Sequence, residues 1–477
     1  MARDVSTGKL CDGSGDPANP AGLAAPPAAA AEASPRPQPP GAAPGKAWWQ
    51  GYFAINSSTG ALLGAILLVC MGSELWSPFL PKYMNNLGAA IMLIAVYGSF
   101  RDLLEAVNYL IGGWIAGRFN TRRGLLLFNA MPLVGLLILL LWHSKWAPIL
   151  AIPFVFVWDS LAGPALLTVV GDSLPSDRRA MAFSLQSLFR RLSRVIAYAV
   201  NGLLVLLIGT TMGMQAAFGA SIAVVLASLA IQALFMKTAS TDSGTIIHRP
   251  LSVLKGFDPQ LKRLLAADIF ARLAEGMPRE LIVLFSLPVL WAAGMTDKAA
   301  WAAYGSLLIV SQITSAITYL PMGHIASRPG FGKRPYIGLT FFFFATFPAV
   351  LALMGYLVLA KIVPAALAMP VLGAAFVFAG MREVGEPARK AMIVDLIPPA
   401  MKTQSIGIYW SARSAAVMLA PIVGGAIWVG TNLAAGRTMT DPAGPGPFAM
   451  LLASSLCGTV GVAYYYARFG KSSETNP

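Results

Sequence analysis

The sequence predicts an all-α polytopic membrane protein with twelve transmembrane helices arranged as two pseudo-symmetric six-helix bundles. Three observations carry that prediction: a composition too apolar for water, long uncharged runs, and an internal repeat at one fixed offset. The chain is 56% hydrophobic and 12% charged, with a mean hydropathy of +0.65. Soluble domains carry roughly 25% charged residues, so this chain in water would expose large apolar patches. Runs such as Leu125–Leu141, Met214–Phe235 and Pro335–Ala360 hold almost no charge. About 20 helical residues cross a ~30 Å hydrocarbon layer. These runs are continuous rather than alternating, which selects helices over a barrel.

The spans follow in order. The first is Thr59–Met84, the second Ala90–Phe119, the third Gly124–Trp142 and the fourth Ile149–Val170. The fifth and sixth are Ala180–Ile208 and Gln215–Met236. A polar connector, 237–262, separates them from the seventh, Leu264–Ala293. The eighth is Ala300–Ile325, the ninth Tyr336–Leu359 and the tenth Val363–Ile393. Ser405–Gly430 and Pro447–Tyr466 complete the set. This divides the chain into a tail (1–55), a first bundle (56–236), the connector, a second bundle (263–469) and a short C-terminal tail (470–477). The N-terminal tail is rich in Ala, Pro and Gly and too poor in large apolar side chains to fold alone. Its last aromatic residues, Trp48, Trp49, Tyr52 and Phe53, suit a membrane interface.

The net charge of +14 sits mostly in short loops. Arg118, Arg122, Arg123, Arg328, Lys333 and Arg334 gather on one side with the connector's cations, while the other side has few. That asymmetry puts the basic side and both termini in the cytoplasm, and it accounts for the charge without nucleic acid. Three cysteines and three histidines are scattered along the chain, so neither a disulfide framework nor a metal site is expected.

Asp172-Ser-Leu-Pro175 closes the fourth span and Asp395-Leu-Ile-Pro398 closes the tenth. The same offset of 223 residues aligns Pro164 with Pro387, Arg190 with Arg413, and Gly202 with Gly425. The loop Gly113-Trp-Ile-Ala-Gly117-Arg118 has a counterpart in Gly323-His-Ile-Ala-Ser327-Arg328. Two six-helix halves joined by a polar hinge are a transporter plan. With these motifs the chain resembles the major facilitator superfamily from about Thr59 to Phe469. In that family the loop carries an Asp before the Arg; here Gly117 and Ser327 stand in its position. The resemblance implies cytoplasmic gating loops at Gly113, Arg118, Arg122 and Arg123, and at Gly323, Arg328, Lys333 and Arg334.

Charges inside a membrane are costly unless paired or wet, so each is a candidate for function. In the second span Arg101, Glu105 and Asn108 share one helical face, with Asp102 beside them. Arg101 lies ~24 Å from the cytoplasmic end. In the seventh span Asp268, Arg272, Glu275 and Arg279 repeat that spacing with alternating sign. In the tenth, Arg382, Glu383 and Glu386 precede Pro387, at depths of ~18 Å for Glu383 and ~13 Å for Glu386, which bracket the midplane. Asp159 sits in the fourth span; Arg190 and Arg194 sit in the fifth, and Arg413 in the eleventh. Self-pairing of Arg101 with Glu105 and of Arg382 with Glu386 stays open as a purely structural reading. Glu74, followed by Pro78 and Pro81, stands apart.

The functional expectation is a secondary transporter of a small solute working by alternating access. Glu386 or Glu383 is first choice for the coupling proton, then Glu105, with Asp102 and Glu275 behind. Arg190 and Arg413 would contact an anionic group, and Arg101, Asn108, Asp159, Arg194, Arg272 and Arg382 would line the cavity. No cofactor is expected beyond an H⁺ or Na⁺ gradient. The partners are the lipid bilayer and the solute, with no nucleic acid, and the chain acts as a monomer in a bacterial inner membrane. No enzyme motif is found: Gly330-Phe-Gly332-Lys333-Arg334 lacks the Ser or Thr of a phosphate loop. Two alternatives remain, a non-transporting sensor or partner protein of the same fold, and a multidrug or lipid exporter.

Overall fold

The computed structural model describes residues 57–116, 121–156, 179–235, 250–326, 333–397 and 402–469. All regular structure there is helical. Among these residues seven helical stretches are long and apolar enough to cross a membrane, including Ser187–Ile208, Thr210–Leu234 and Pro445–Phe469. Two shorter apolar helices add to them.

Among the described residues seventeen α-helices follow in order. They are α1 (Ser57–Glu74), α2 (Leu80–Asn86), α3 (Ile91–Ala116), α4 (Thr121–Leu141) and α5 (Ala147–Val155). Next come α6 (Arg179–Ile208), α7 (Thr210–Phe235), α8 (Pro250–Lys255), α9 (Pro259–Arg279) and α10 (Ile282–Ala292). The remainder are α11 (Asp297–Ala326), α12 (Arg334–Leu359), α13 (Ala368–Met381), α14 (Glu386–Asp395), α15 (Lys402–Val417), α16 (Ala420–Ala434) and α17 (Pro445–Phe469). The connector region holds α8, and α9 starts earlier than the seventh span was expected to.

Four spans expected to be continuous are broken, and proline explains each break. Proline has no N–H to give the carbonyl four residues back, and its ring crowds that carbonyl. Pro78 faces Glu74 in this way, and α1 ends at Glu74, followed by a 3₁₀ turn at Ser77–Phe79. Pro278 faces Ala274, and the helix is interrupted at Glu280 and Leu281 between α9 and α10. Pro387 faces Glu383 and starts α14 after the break at 382–385. Pro421 faces Val417 and starts α16 after Met418 and Leu419. Prolines favour the first turn of a helix, where their missing donor has no role.

Packing brings distant spans together. α6 lies along α11, α1 along α7 and α6, and α3 along α15 and α16. α17 packs on both α9 and α12. One core joins Trp76, Phe79 and Tyr83 to Phe218, Phe285 and Trp301. A second core gathers Leu261, Leu264, Ile337, Phe341, Tyr409 and Tyr465. The break after α1 is anchored in the first core. Asn201 on α6 is fully buried, donates to the Leu75 carbonyl at 2.7 Å and accepts from the Trp301 indole at 2.9 Å. Phe79 stacks on Trp301 with ring centroids 5.7 Å apart.

Candidate functional site

The broken spans carry their charged residues at or beside the breaks, and those charges meet across the molecule. Glu74 ends α1. Its two oxygens accept from Arg194 Nε at 2.8 Å and from the Tyr198 hydroxyl at 2.7 Å, one turn apart on α6. This group opens on a cavity lined by Ser73, Glu74, Trp76, Ser77, Arg101 and Arg194, with an apolar wall of Val69, Leu136, Val155 and Val225. Arg101 lies over the Phe156 ring, 4.2 Å from its centroid.

Arg101 also reaches out of α3 toward Glu280, at 3.4 Å. The same Glu280 oxygen accepts from Arg279 Nε at 2.9 Å. Arg279 in turn donates to Asp102 Oδ1 at 2.8 Å. Gly98 makes this approach possible, because a Cβ there would collide with the Glu280 side chain. Asp102 is 2% exposed, and its Oδ2 has no hydrogen-bond partner among the described residues. Glu105, one turn on, accepts from the Tyr109 hydroxyl at 2.8 Å, and Tyr109 packs on Trp410 of α15.

A third group joins α9, α14 and α15. Arg389 donates twice to Glu386, at 3.0 and 2.7 Å, and also bonds Asp268. Arg272 reaches Glu386 at 3.1 Å and Glu275 at 2.6 Å. Arg382 reaches Glu275 at 3.3 Å, and Arg413 lies 3.8 Å from Asp268, which also accepts from the Tyr409 hydroxyl. Phe344 sits beneath both Arg272 and Arg382. Finally, Arg191 on α6 donates to Glu383 at 3.0 Å and lies over Tyr319 of α11. Each of these arginines stands within ion-pair distance of a carboxylate, as buried charge requires.

The structure therefore corrects the self-pairing reading. Arg101 pairs with Glu280 rather than Glu105, and Arg382 with Glu275 rather than Glu386, because the α9–α10 break presents Glu280 to α3 and the break before α14 presents Arg382 to α9. The alternating ladder of the seventh span survives in part: Arg272 bonds Glu275 within its own helix, but Arg279 leaves for Asp102. Glu386 does not face open space; both its oxygens accept from guanidinium groups and it is 4% exposed. Glu74, which the sequence left isolated, is doubly bonded. Arg190 and Asn108 are half-buried. Lys333 precedes α12, and Arg334 opens it and donates to the Phe469 carbonyl at 3.1 Å. Gly113, Arg122, Arg123 and Gly323 lie within described helices, whereas Asp159, Gly117, Arg118 and Arg328 lie outside the described residues. Among the described residues no cluster of His, Cys, Asp or Glu could hold a metal ion.

The sequence reading passed over Arg389, Tyr198 and Tyr409 as partners. Arg389 had a signal in its i, i+3 spacing from Glu386. The others did not, since their partners come from elsewhere in the chain.

Residues 62–421 match the family model of the Major Facilitator Superfamily. The chain belongs to that superfamily. It is accordingly a membrane protein of a transporter family. Among solved structures, a mutant of the nucleoside transporter NupG is similar in fold, with a TM-score of 0.65. The match covers 87% of this chain and 100% of that one at 14% identity, so it speaks for the fold alone. No curated protein matches the sequence.

Proposed function

We propose that this superfamily member is a proton-coupled secondary transporter of a small organic anion, working by alternating access between two six-helix halves in a bacterial inner membrane. The observation that carries the reading is the set of ion pairs that joins the first half of the chain to the second: Arg101–Glu280, Asp102–Arg279 and Arg191–Glu383. Pairs of this kind give two rigid bodies a contact that is made in one arrangement and broken in another.

The coupling proton belongs on Asp102 and Glu105 rather than on Glu386. Asp102 has a buried oxygen that faces no donor, and Glu105 faces a neutral hydroxyl. A proton can occupy either without displacing a guanidinium group. Glu386 offers no such place, being gripped by Arg389 and Arg272. Protonation of Asp102 would loosen its tie to Arg279 and so connect proton binding to the contact between the halves.

The test is proteoliposomes loaded with a pH-sensitive dye and challenged with a panel of small carboxylates and phosphate esters. Solute-dependent proton movement that disappears in Asp102→Asn supports the reading. Solute flux driven by sodium and indifferent to pH would overturn the proton, and no flux with any anion would overturn the substrate class.

A further inference from the structure

Among the described residues the cavity at the end of α1 is lined by two guanidinium groups and one carboxylate. That carboxylate, of Glu74, is already bonded through both oxygens. Arg194 uses Nε for that bond, and its two terminal nitrogens make no hydrogen bond among the described residues although its side chain is 35% exposed. Among the described residues the one carboxylate Arg101 contacts is Glu280, at 3.4 Å. Trp76 also lines the cavity. Guanidinium donors that no protein acceptor takes are open to a ligand that brings acceptors.

We infer that this cavity binds the anionic end of a water-soluble organic acid, with a carboxylate or phosphate group held between Arg101 and Arg194 and an apolar body against Phe156, Val155 and Leu136. The inference deepens the transporter reading and rests on it for its purpose, while binding is measured without transport. Two features fix the ligand class. Glu74, Arg101 and Arg194 together carry one net positive charge, which a monoanion neutralises. Guanidinium groups fork onto carboxylate and phosphate oxygens, and the aromatic and aliphatic wall beside them favours an organic body over bare inorganic phosphate.

The geometry also supplies a consequence of binding. Glu280 Oε1 accepts from Arg279 at 2.9 Å and from Arg101 at 3.4 Å, so Arg101 holds it by the longer contact. An anion that takes Arg101 leaves Glu280 sharing Arg279 with Asp102. Anion and Glu280 thus compete for one guanidinium group, and occupancy of the cavity releases one of the ties between α3 and the α9–α10 break.

The experiment uses the full chain purified in detergent, titrated with benzoate and followed by melting temperature and by the apparent Kd. Benzamide serves as neutral isostere, and inorganic phosphate and phosphatidylglycerol micelles as the other anion sources. Benzoate is expected to stabilise and benzamide not. Loss of a charged hydrogen bond costs a factor of roughly ten or more, so Arg101→Gln should weaken benzoate binding by about that much. Glu280→Gln, which removes the competitor, should instead tighten it, and a merely structural residue would not do so. Equal stabilisation by benzamide overturns the inference, as does an unchanged Kd in both Arg101→Gln and Glu280→Gln, or binding of phosphatidylglycerol alone. Failure of the two readings is distinguishable. Benzoate binding as described with no anion flux in proteoliposomes removes the transporter reading and leaves the site. Anion flux indifferent to Arg101 removes the site and leaves the transporter.

Discussion

The hydroxyl of Ser454, on α17, donates to the carbonyl of Ala274, on α9. That carbonyl is the one Pro278 cannot serve, because proline has no N–H to return four residues back. A polar group at membrane depth with no water nearby needs a partner from a neighbouring helix, and Ser454, fully buried, is that partner. The α9–α17 contact is thus specified by a missing hydrogen bond as well as by packing, with Gly461 fitting against Phe270 nearby.

Ser454→Ala should therefore lower stability by about 1 kcal/mol, within the range found for hydrogen bonds between membrane helices. Pro278→Ala restores the helical donor, so the serine matters less in that background. The check is a double-mutant comparison of melting temperatures in detergent. Equal losses from Ser454→Ala with and without Pro278 would show that the hydroxyl answers some other need.

Gly385 is the residue that lets the break before α14 lie against α12. A Cβ there would run into the Tyr336 carbonyl, which is backbone and cannot swing aside, and the Gly385 amide donates to Thr340 Oγ1 at 2.6 Å. Gly385→Ala is expected to cost about 2 kcal/mol or more through overpacking. Expression of folded protein and its melting temperature read this directly. The control is Gly373→Ala on α13, where a Cβ meets nothing within 4 Å and no loss is expected.

How much of this was legible in the sequence depends on whether a feature is local. Spans such as Pro335–Ala360 announce themselves by apolar length, and Pro78, Pro278, Pro387 and Pro421 mark the breaks, although the expected spans ran straight through them. The faces of charge were also legible, since Arg101 and Glu105 do share one side of α3. Their partners were not. An i, i+4 spacing makes Arg101 and Glu105 look like a pair, but a side chain chooses among everything within reach, and Glu280 arrives from 179 residues away. Glu74 shows the same limit: nothing in its neighbourhood signals Arg194 and Tyr198, which α6 brings to it.

Asp102 and Arg279 offer a direct measure of such a long-range pair. Removing one partner of a buried ion pair leaves the other charge uncompensated, typically at a cost of about 3–5 kcal/mol. Arg279→Gln should therefore destabilise strongly, and Asp102→Asn together with it should recover a large part of the loss. A double-mutant cycle on melting temperature gives the coupling. Additive losses would mean that the two residues act through different neighbours.

The last prediction sets Glu386 against Asp102. Both are buried carboxylates on broken or charged spans, but their surroundings differ in kind. Glu386 anchors Arg389 by two hydrogen bonds and Arg272 by a third, so Glu386→Gln weakens three guanidinium contacts and should lower stability by about 3 kcal/mol. The protein that does fold should keep the pH dependence of the wild type. Asp102 has one guanidinium contact and one oxygen facing no donor, so Asp102→Asn should cost less in stability and should flatten the dependence of flux on an imposed pH gradient. Proteoliposome flux at several external pH values, normalised to folded protein, separates the two. A flat profile in Glu386→Gln with a normal one in Asp102→Asn would reverse the assignment and return the coupling proton to α14.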